Sequence, residues 1–433
     1  MTFRMRSISV VILASSLCVT SVWAVPLAGP EILQIPRMAG PEETPAQAAL
    51  RRGVEALAQN RLADAEAAFR ESSKLDGKLI GPLLGMAEIA LRKNAPKEAE
   101  AWLGKAQAVA PNSAEIQTAW GRIYYAQREF AKAAAAFEKA IALDDKMLAP
   151  RLDLADLYMA QRRPHDAAKV YRGAITVDPE HAGAHYGLGR ALAATGDATG
   201  AAAEYGKAVQ LAPDNPLPLQ ALAELYAAQK KYDEALDALN RALQVQPAFV
   251  LAQVTRGNVY ALKGDDAEAI AAYQAALKIA PKYGLAHMHL ASTYQRLKRY
   301  PEAEVEYLAA IDTDPKNAIA YNNLAWMAAE RKERLNDALA WAKKAVELEP
   351  AIAQFQDTLG WVHRSRGELD KAAQVLERAA AVTPPQADIH YHLGVVYREQ
   401  GKRKEAAAAL KKAIALQHPY PEAEQALRRL SGD

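Results

Sequence analysis

The 433-residue chain contains a single cysteine, Cys18, which lies in an apolar stretch near the N-terminus. If that stretch is removed as a leader, the mature chain has no thiol, which excludes disulfides, thiolate metal sites and a cysteine nucleophile. An excess of charge is also absent, since 53 basic residues face 51 acidic ones and the leader would remove Arg4 and Arg6. The resulting neutral chain predicts no general affinity for nucleic acid or anionic membranes.

Sequence motifs for catalysis are absent as well. The chain has no phosphate-binding glycine loop, no Gly-x-Ser-x-Gly elbow and no His-Glu-x-x-His zinc helix. The histidine pairs at 287–289 and 390–392 are two residues apart on predicted helices, so each pair points about 200° apart and cannot share a metal. His181 and His185 have a workable spacing but no evident third ligand. We therefore predict a protein that is not an enzyme and that holds no metal or cofactor.

Long apolar runs are scarce, and the one at Ile8–Val19 follows a basic start. Small residues precede a cleavage point after Ala24, so residues 1–24 form a predicted secretory signal peptide. The apolar stretch is too short for a comfortable membrane helix, although an uncleaved anchor is the alternative. Residues 25–45 hold five prolines and no helical period, which predicts a flexible linker. We expect a periplasmic or secreted protein with no integral membrane segment after cleavage.

Proline recurs with a period of 34 residues, with a single one-residue shift before the last two members. A fixed period in this range is typical of a solenoid of stacked helical pairs. With the proline numbered as position 32, eleven units cover residues 46–420, and position 20 is alanine in all of them. The recurrent prolines are Pro111, Pro179, Pro213, Pro247, Pro281, Pro315, Pro350 and Pro384.

The repeated positions are those that two packed helices require. Positions 4, 7, 8 and 11 fall on one stripe of a first helix, and positions 20, 24 and 27 fall on one stripe of a second. Because helices approach closely only where side chains are small, we expect positions 8 and 20 to mark their crossing. The ninth unit has one extra residue within 331–336, which predicts a longer turn. Residues 421–433 predict an amphipathic helix and tail that cap the last unit.

These residues resemble the tetratricopeptide repeat, and the resemblance covers about 375 residues. It implies an all-α fold, namely a right-handed superhelical solenoid of about eleven helix-turn-helix units with a C-terminal capping helix. It also implies a concave groove lined by first helices, with positions 2, 5, 9 and 12 facing it. The family's carboxylate-clamp pattern is not met by Glu88, Arg122 and Asp156, so binding of a C-terminal carboxylate is not carried over.

The groove positions of units nine to eleven are rich in the residue types that dominate binding interfaces. Trp326 and Trp361 occupy the same register in neighbouring units and should lie side by side. They predict a partner-binding site, while packing of the two rings against neighbouring helices is the alternative. The full predicted site comprises Asn322, Trp326, Asp357, Trp361, Arg364, Tyr391 and Arg398.

Earlier units carry charges of alternating sign at position 9, and this pattern has two interpretations. Ion pairing between repeats, or a solvated face, is one interpretation, and a ligand clamp is the other. These residues are Glu88, Arg122, Asp156, Arg190 and Glu224.

A leader followed by repeats predicts a non-catalytic scaffold in the bacterial envelope that binds a protein or peptide partner. The last units look like secreted bacterial repeat proteins, which implies a role in export or assembly of polysaccharide or surface proteins. The alternative is a carbohydrate-binding periplasmic component of a polysaccharide export system, in which the tryptophan pair contacts a polymer. An enzyme of the glycosyltransferase type would need a catalytic domain after the repeats, where the chain has only about thirteen residues.

Overall fold

A computed structural model describes residues 43–431 as twenty-three α-helices. The predicted signal peptide and residues 25–42 of the predicted linker lie outside the described residues. The described helices form eleven consecutive pairs followed by one further helix, which confirms the predicted all-α array of repeats. None of the helices in the described range combines the length and apolarity that a bilayer crossing requires.

The described chain divides into two compact units, an N-terminal unit at 43–247 and a C-terminal unit at 248–431. The N-terminal unit contains the first six helix pairs. Its helices α1 to α12 span Pro45–Ala58, Leu62–Leu75, Gly81–Arg92, Pro96–Val109, Ala114–Ala126, Phe130–Leu143, Ala149–Ala160, Pro164–Val177, Ala182–Ala194, Ala198–Leu211, Leu217–Ala228 and Tyr232–Val245.

The C-terminal unit contains the remaining five pairs and the last helix, α23. Odd numbers from α1 to α21 are thus the first helices of their repeats, and even numbers are the second helices. Helices α13 to α23 span Val250–Lys263, Asp266–Ile279, Gly284–Arg296, Tyr300–Thr313, Ala318–Arg331, Leu335–Leu348, Ala353–Ser365, Leu369–Ala380, Ala387–Glu399, Arg403–Leu416 and Pro421–Ser431.

The turn within each pair reverses the chain through one residue in the left-handed region, always at position 15. Only four of the eleven are glycine, and the other seven, such as Arg128 and Lys230, adopt φ near +60°. The extra residue of the ninth repeat gives its turn a second left-handed residue, Arg334, after Lys332. The helix bounds nevertheless leave three residues, 332–334, between α17 and α18, as in all but one of the other pairs, so the predicted longer turn is wrong.

Small residues allow the two helices of each pair to pack closely. The alanine at position 20 is fully buried in all eleven repeats, and position 27 is buried in all eleven as well. At position 27 the one exception to alanine is Ser72, whose hydroxyl donates to the carbonyl oxygen of Ala46 at 2.7 Å. A buried hydroxyl is therefore satisfied within the same repeat.

The side chain at position 24 fills the space between first helices. A Cβ added to Gly53, at position 8, would lie 2.4 Å from the ring of Phe69 in the same repeat. A Cβ added to Gly85, at position 6 of the next repeat, would lie 2.4 Å from the other side of that ring. Position 8 is thus small because it must admit the position-24 ring.

In the N-terminal unit, neighbouring first helices contact one another along the whole series from α1 to α11. Neighbouring second helices of the described residues make no comparable contact. The first helices therefore lie on the closely spaced side of this unit, which we call its inner face. From position 9 of this face, Arg122 reaches Asp153 on the next first helix.

Gly121→Ala should destabilise the N-terminal unit by about 1–3 kcal/mol, because the new Cβ would lie 2.4 Å from the buried ring of Phe137. Gly104→Ala is the matched control, since nothing lies within 4 Å of its added Cβ in helix α4. The control should stabilise the protein by about 0.5–1 kcal/mol. Urea unfolding followed by circular dichroism measures both changes. Equal effects of the two substitutions would contradict the proposed packing.

Candidate functional site

Five aromatic side chains form a continuous cluster on the first helices of the last three repeats and just before α23. Trp326 of α17 stacks on Trp361 of α19, with ring centroids 5.8 Å apart and an interplanar angle of 17°. His392 of α21 contacts both rings, at 4.4 Å from Trp361 and 5.4 Å from Trp326. Tyr391 and Tyr420 continue the series, with centroids 5.4 Å apart. We call these five residues the C-terminal aromatic cluster.

The predicted site residues differ in their accessibility. Trp361 is only 4% exposed, and Asn322, Asp357 and Tyr391 are also buried. Trp361 is therefore packed against neighbouring helices, which is the alternative to partner binding for this ring. Trp326, Arg364 and Arg398 are partly exposed, and their role in partner binding stays a prediction.

The contacts of Trp361 explain why a large polar aromatic is tolerated inside the stack. Its Nε1 donates to Oε1 of Glu330 on the preceding first helix at 2.6 Å. The guanidinium of Arg364 lies 4.2 Å from the ring centroid, a cation–π arrangement. Arg364 also donates from Nε to both carboxylate oxygens of Glu399 at 3.0 and 3.1 Å. The ring is thus held by one hydrogen bond and covered by a paired cation.

His392 forms a buried ion pair with a residue that the sequence assigned to partner binding. Its Nδ1 lies 2.9 Å from each carboxylate oxygen of Asp357, and both side chains are buried. Burial lowers the pKa of His392, but the charge and hydrogen bond of Asp357 outweigh it and raise the pKa above the ordinary 6.5. When the ring is protonated, its charge also lies against two indoles. Asp357 therefore joins two repeats in this structure.

The last helix is tied to the cluster through Tyr420. The hydroxyl of Tyr420 donates to Oδ1 of Asp388 on α21 at 2.6 Å. Ala423 and Ala426 of α23 are buried in the same apolar core as Trp361 and Tyr391. The C-terminal helix thus covers the apolar end of the last repeat, as the sequence predicts.

Asn322 lies next to a buried polar chain. Its Nδ2 faces Oδ1 of Asn323 at 3.5 Å, and Nδ2 of Asn323 donates to the hydroxyl of Tyr307 at 3.2 Å. The Tyr307 hydroxyl in turn donates to Oε1 of Gln295 at 2.6 Å. Asn322 is therefore in a polar network between repeats eight and nine and is not presented to solvent.

In the N-terminal unit, the alternating charges at position 9 do not pair with each other. Arg122 instead donates from Nε to Oδ2 of Asp153, at position 6 of the next repeat, over 2.5 Å. Both side chains are buried, and Nη2 of Arg122 and Oδ1 of Asp153 have no hydrogen-bond partner among the described residues. Burial raises the pKa of Asp153 to about 6, although Arg122 opposes the shift.

The remaining position-9 charges have local partners. Glu88 accepts from Nε of Arg92 at 2.9 Å within the same helix. Asp156 accepts from the hydroxyl of Tyr171, which lies at position 24 of its own repeat. The predicted ion pairing between repeats is thus found for Arg122, through position 6.

Histidine side chains serve structural contacts. His181 caps helix α9, where its Nδ1 accepts from the backbone N–H of Ala184 at 3.0 Å. His185 lies between Oε2 of Glu204 at 2.6 Å and the carbonyl oxygen of Pro179 at 3.0 Å. Within residues 43–431 no group of three or more His, Cys, Asp or Glu residues is placed to hold a metal ion.

Sequence reasoning missed His392 as a functional element because it weighed histidines only as metal ligands. Position 6 offered a usable signal, since this position faces the preceding first helix and is glycine in Gly85 and Gly187. A histidine there must be packed or paired. Together with an aspartate in the preceding repeat, this predicts an ion pair between repeats.

Trp361→Ala should cost about 3–5 kcal/mol, because it removes a buried indole and leaves a cavity in the C-terminal core. Trp326→Ala, in the same stack but partly exposed, should cost less. Urea unfolding, with hydrogen exchange of peptides from 318–431, measures the loss and locates it. A Trp361 variant as stable as the wild type would show that the ring is not part of the core.

The pairing of His392 predicts a pH dependence. Because its folded pKa is raised, the ion pair contributes fully below the unfolded pKa, and the contribution is lost as the pH rises through the folded pKa. Urea midpoints measured at about pH 6 and about pH 9 should differ more for the wild type than for His392→Gln. His390→Gln on the same helix is the matched control, and because burial lowers the pKa of His390, its removal should shift the pH dependence in the opposite sense. An unchanged pH dependence in His392→Gln would reject the assignment.

Comparisons with known proteins identify the repeat. Models described as tetratricopeptide repeat match residues 56–123, 152–216, 221–284 and 261–329, as well as 114–146 and 387–419. A model described as TPR repeat matches residues 360–401. Together these matches cover more than half of the chain. No curated protein sequence matches it.

Solved structures with similar folds include the APC/C hetero-tetramer Cut9–Hcn1, at 14% identity over 90% of this chain and 96% of that chain, with a TM-score of 0.47. A tetratricopeptide repeat protein from Parabacteroides merdae is 19% identical over 57% of this chain and 98% of that chain, with a TM-score of 0.46. The family matches support a protein–protein interaction scaffold. On its repeats, its helix pairs and these matches, the chain belongs to the tetratricopeptide-repeat family.

Proposed function

We propose that this protein is a non-catalytic scaffold of the bacterial envelope that binds a protein partner on the first helices of its repeats. The carrying observation is an array of eleven repeats that follows a leader-like segment at 1–24. Repeats of this family support protein–protein interaction, and the leader supports export. Export or assembly of polysaccharide or surface proteins is the pathway that we propose for the scaffold.

The first helices suit this role because their inner-face side chains vary while the packing positions do not. Position 20 is alanine in every repeat, whereas position 9 carries acidic, basic, polar and aromatic groups. A rigid frame that presents variable side chains resembles a binding surface preorganised for one partner. Trp326, Arg364 and Arg398 contribute partly exposed aromatic and basic groups to the proposed surface in the C-terminal unit.

A polysaccharide is the alternative ligand, and the exposed part of Trp326 is the feature that favours it. Sugar rings stack on flat aromatic faces, but one side of the Trp326 ring is occupied by Trp361. The remaining surface therefore suits a single ring contact. We keep protein as the proposed partner class.

The test is photocrosslinking in a bacterium that expresses the full chain with a photoreactive residue at Ala193. This position is partly exposed near the end of first helix α9. We expect the protein in the periplasmic fraction, with Val25 as its N-terminal residue, and a crosslinked protein adduct. Ala203, exposed on second helix α10, is the matched control and should give no adduct.

Two outcomes would contradict the proposal separately. A protein that stays in the cytoplasm with residues 1–24 intact would reject the envelope location. Equal adducts from both positions, or none from Ala193, would reject binding by the first helices. Adducts that contain glycan instead of protein would favour the alternative.

A further inference from the structure

Three half-buried charges of alternating sign lie on neighbouring first helices of the N-terminal unit. They are Asp156 on α7, Arg190 on α9 and Glu224 on α11, all at position 9. None of the three forms an ion pair within 4 Å with a described residue. Position 9 side chains at the start of the same unit are paired, Glu88 with Arg92 and Arg122 with Asp153.

The contacts of these three charges are weak substitutes for counterions. Asp156 accepts from the Tyr171 hydroxyl, and Glu224 accepts from Nε2 of Gln220 at 3.0 Å. The guanidinium of Arg190 lies 5.8 Å from the ring centroid of Tyr186. Neutral hydroxyl and amide groups compensate a half-buried carboxylate less well than a cation does.

Partial burial makes these charges responsive to a ligand. Burial raises the pKa of Asp156, although the hydrogen bond from Tyr171 and the charge of Arg190 oppose the shift. Burial likewise raises the pKa of Glu224. A charge away from bulk water interacts more strongly with an opposite charge brought beside it. A partner with complementary charges would therefore gain more here than at an exposed surface.

The three charges share one surface with Tyr186. Burial raises the pKa of Tyr186, and the charges of Arg190, Glu224 and Asp156 all act on its hydroxyl. The ring of Tyr186 also packs against Tyr205, with centroids 5.8 Å apart at 42°. The surface thus has an aromatic side chain at its centre and, on successive first helices, a negative, a positive and a negative group.

The spacing of the helices selects a ligand conformation. Packed helices lie roughly 8–10 Å apart, and polyproline II advances about 9 Å in its three-residue turn. Residues three apart on such a segment project from the same side and would meet successive first helices. Aromatic-lined grooves are also the usual receptors for this conformation.

We propose that α7, α9 and α11 bind a partner segment in the polyproline II conformation whose every third residue is, in order, basic, acidic and basic. The acidic residue pairs with Arg190, and the basic residues pair with Asp156 and Glu224. This inference rests on the proposed scaffold function and names the chemistry of its partner.

A partner in trans fits better than the protein's own proline-rich segment. In residues 25–45 the charged residues nearest this pattern are Glu31, Arg37 and Glu42. Their order is acidic, basic and acidic, which is opposite to the order that the surface requires, and their spacing is wider than three residues.

The test measures binding of fluorescent heptapeptides to mature 25–433 by anisotropy. The probe is Lys-Pro-Ala-Glu-Pro-Ala-Lys, and the charge-reversed probe is Glu-Pro-Ala-Lys-Pro-Ala-Glu. The wild type should bind the first at least about tenfold more tightly, with affinity falling as salt is added. Arg190→Glu should lose this binding and gain preference for Lys-Pro-Ala-Lys-Pro-Ala-Lys, whose three lysines face Asp156, the new glutamate and Glu224.

Arg172→Glu is the matched control, because it makes the same charge change at an exposed site on second helix α8. It should bind like the wild type. Urea midpoints of all variants show whether they remain folded. Restored binding between Arg190→Glu and the peptide with three lysines supports a direct contact, which a merely misfolded variant would not give.

Equal binding of the two probes, or no binding of either, would overturn the proposal. Binding of alginate in place of either peptide would assign the surface to an anionic glycan and overturn it as well. Each of these results leaves the scaffold proposal to its own test, since photocrosslinking at Ala193 assumes no particular partner charge.

Discussion

The packing of the side chain at position 24 between first helices is the constraint on which most repeats depend. Phe69 fills the space between Gly53 of its own repeat and Gly85 of the next. The same ring therefore joins the pair and links it to its neighbour. Because the alanines at positions 20 and 27 are buried throughout, neither helix can shift without a clash or a void. Stability is then a sum of similar contacts between neighbours.

That constraint leaves the first-helix surface free to differ between repeats. Position 6 of the first helix is glycine at Gly85 and Gly187, but elsewhere it carries Asp153, Asn323 or His392, each bonded to a neighbouring first helix or ring. These polar contacts fix the relative orientation of neighbouring repeats, which contacts between alanines alone would not specify. Neighbouring repeats are thus matched in pairs, so a repeat cannot be exchanged for another without loss of partners.

Much of the fold was predictable from the sequence, because the period and the alanine at position 20 reflect local packing that every repeat shares. The bounds of the helices and the capping role of 421–431 follow from the same pattern. The sequence did not show whether Trp361 is buried or exposed, because its burial depends on contacts in three repeats. These contacts are with Glu330, Arg364 and His392. The predicted metal-free character of the histidines rested on spacing alone, whereas their partners, such as Glu204, lie on the other helix of the pair.

Side chains at position 9 have different roles in the two units. In the C-terminal unit, position 9 holds Trp361, whose hydrogen bond and covering cation leave no polar group of the ring without a partner. In the N-terminal unit, position 9 holds Arg190 and Glu224, which keep part of their surface exposed. Burying charge without a counterion lowers stability, so a protein under no other demand would pair or replace these groups. Because many alanine contacts stabilise the array, it can tolerate this loss of stability. The unpaired charges are then available to recognise a charged partner.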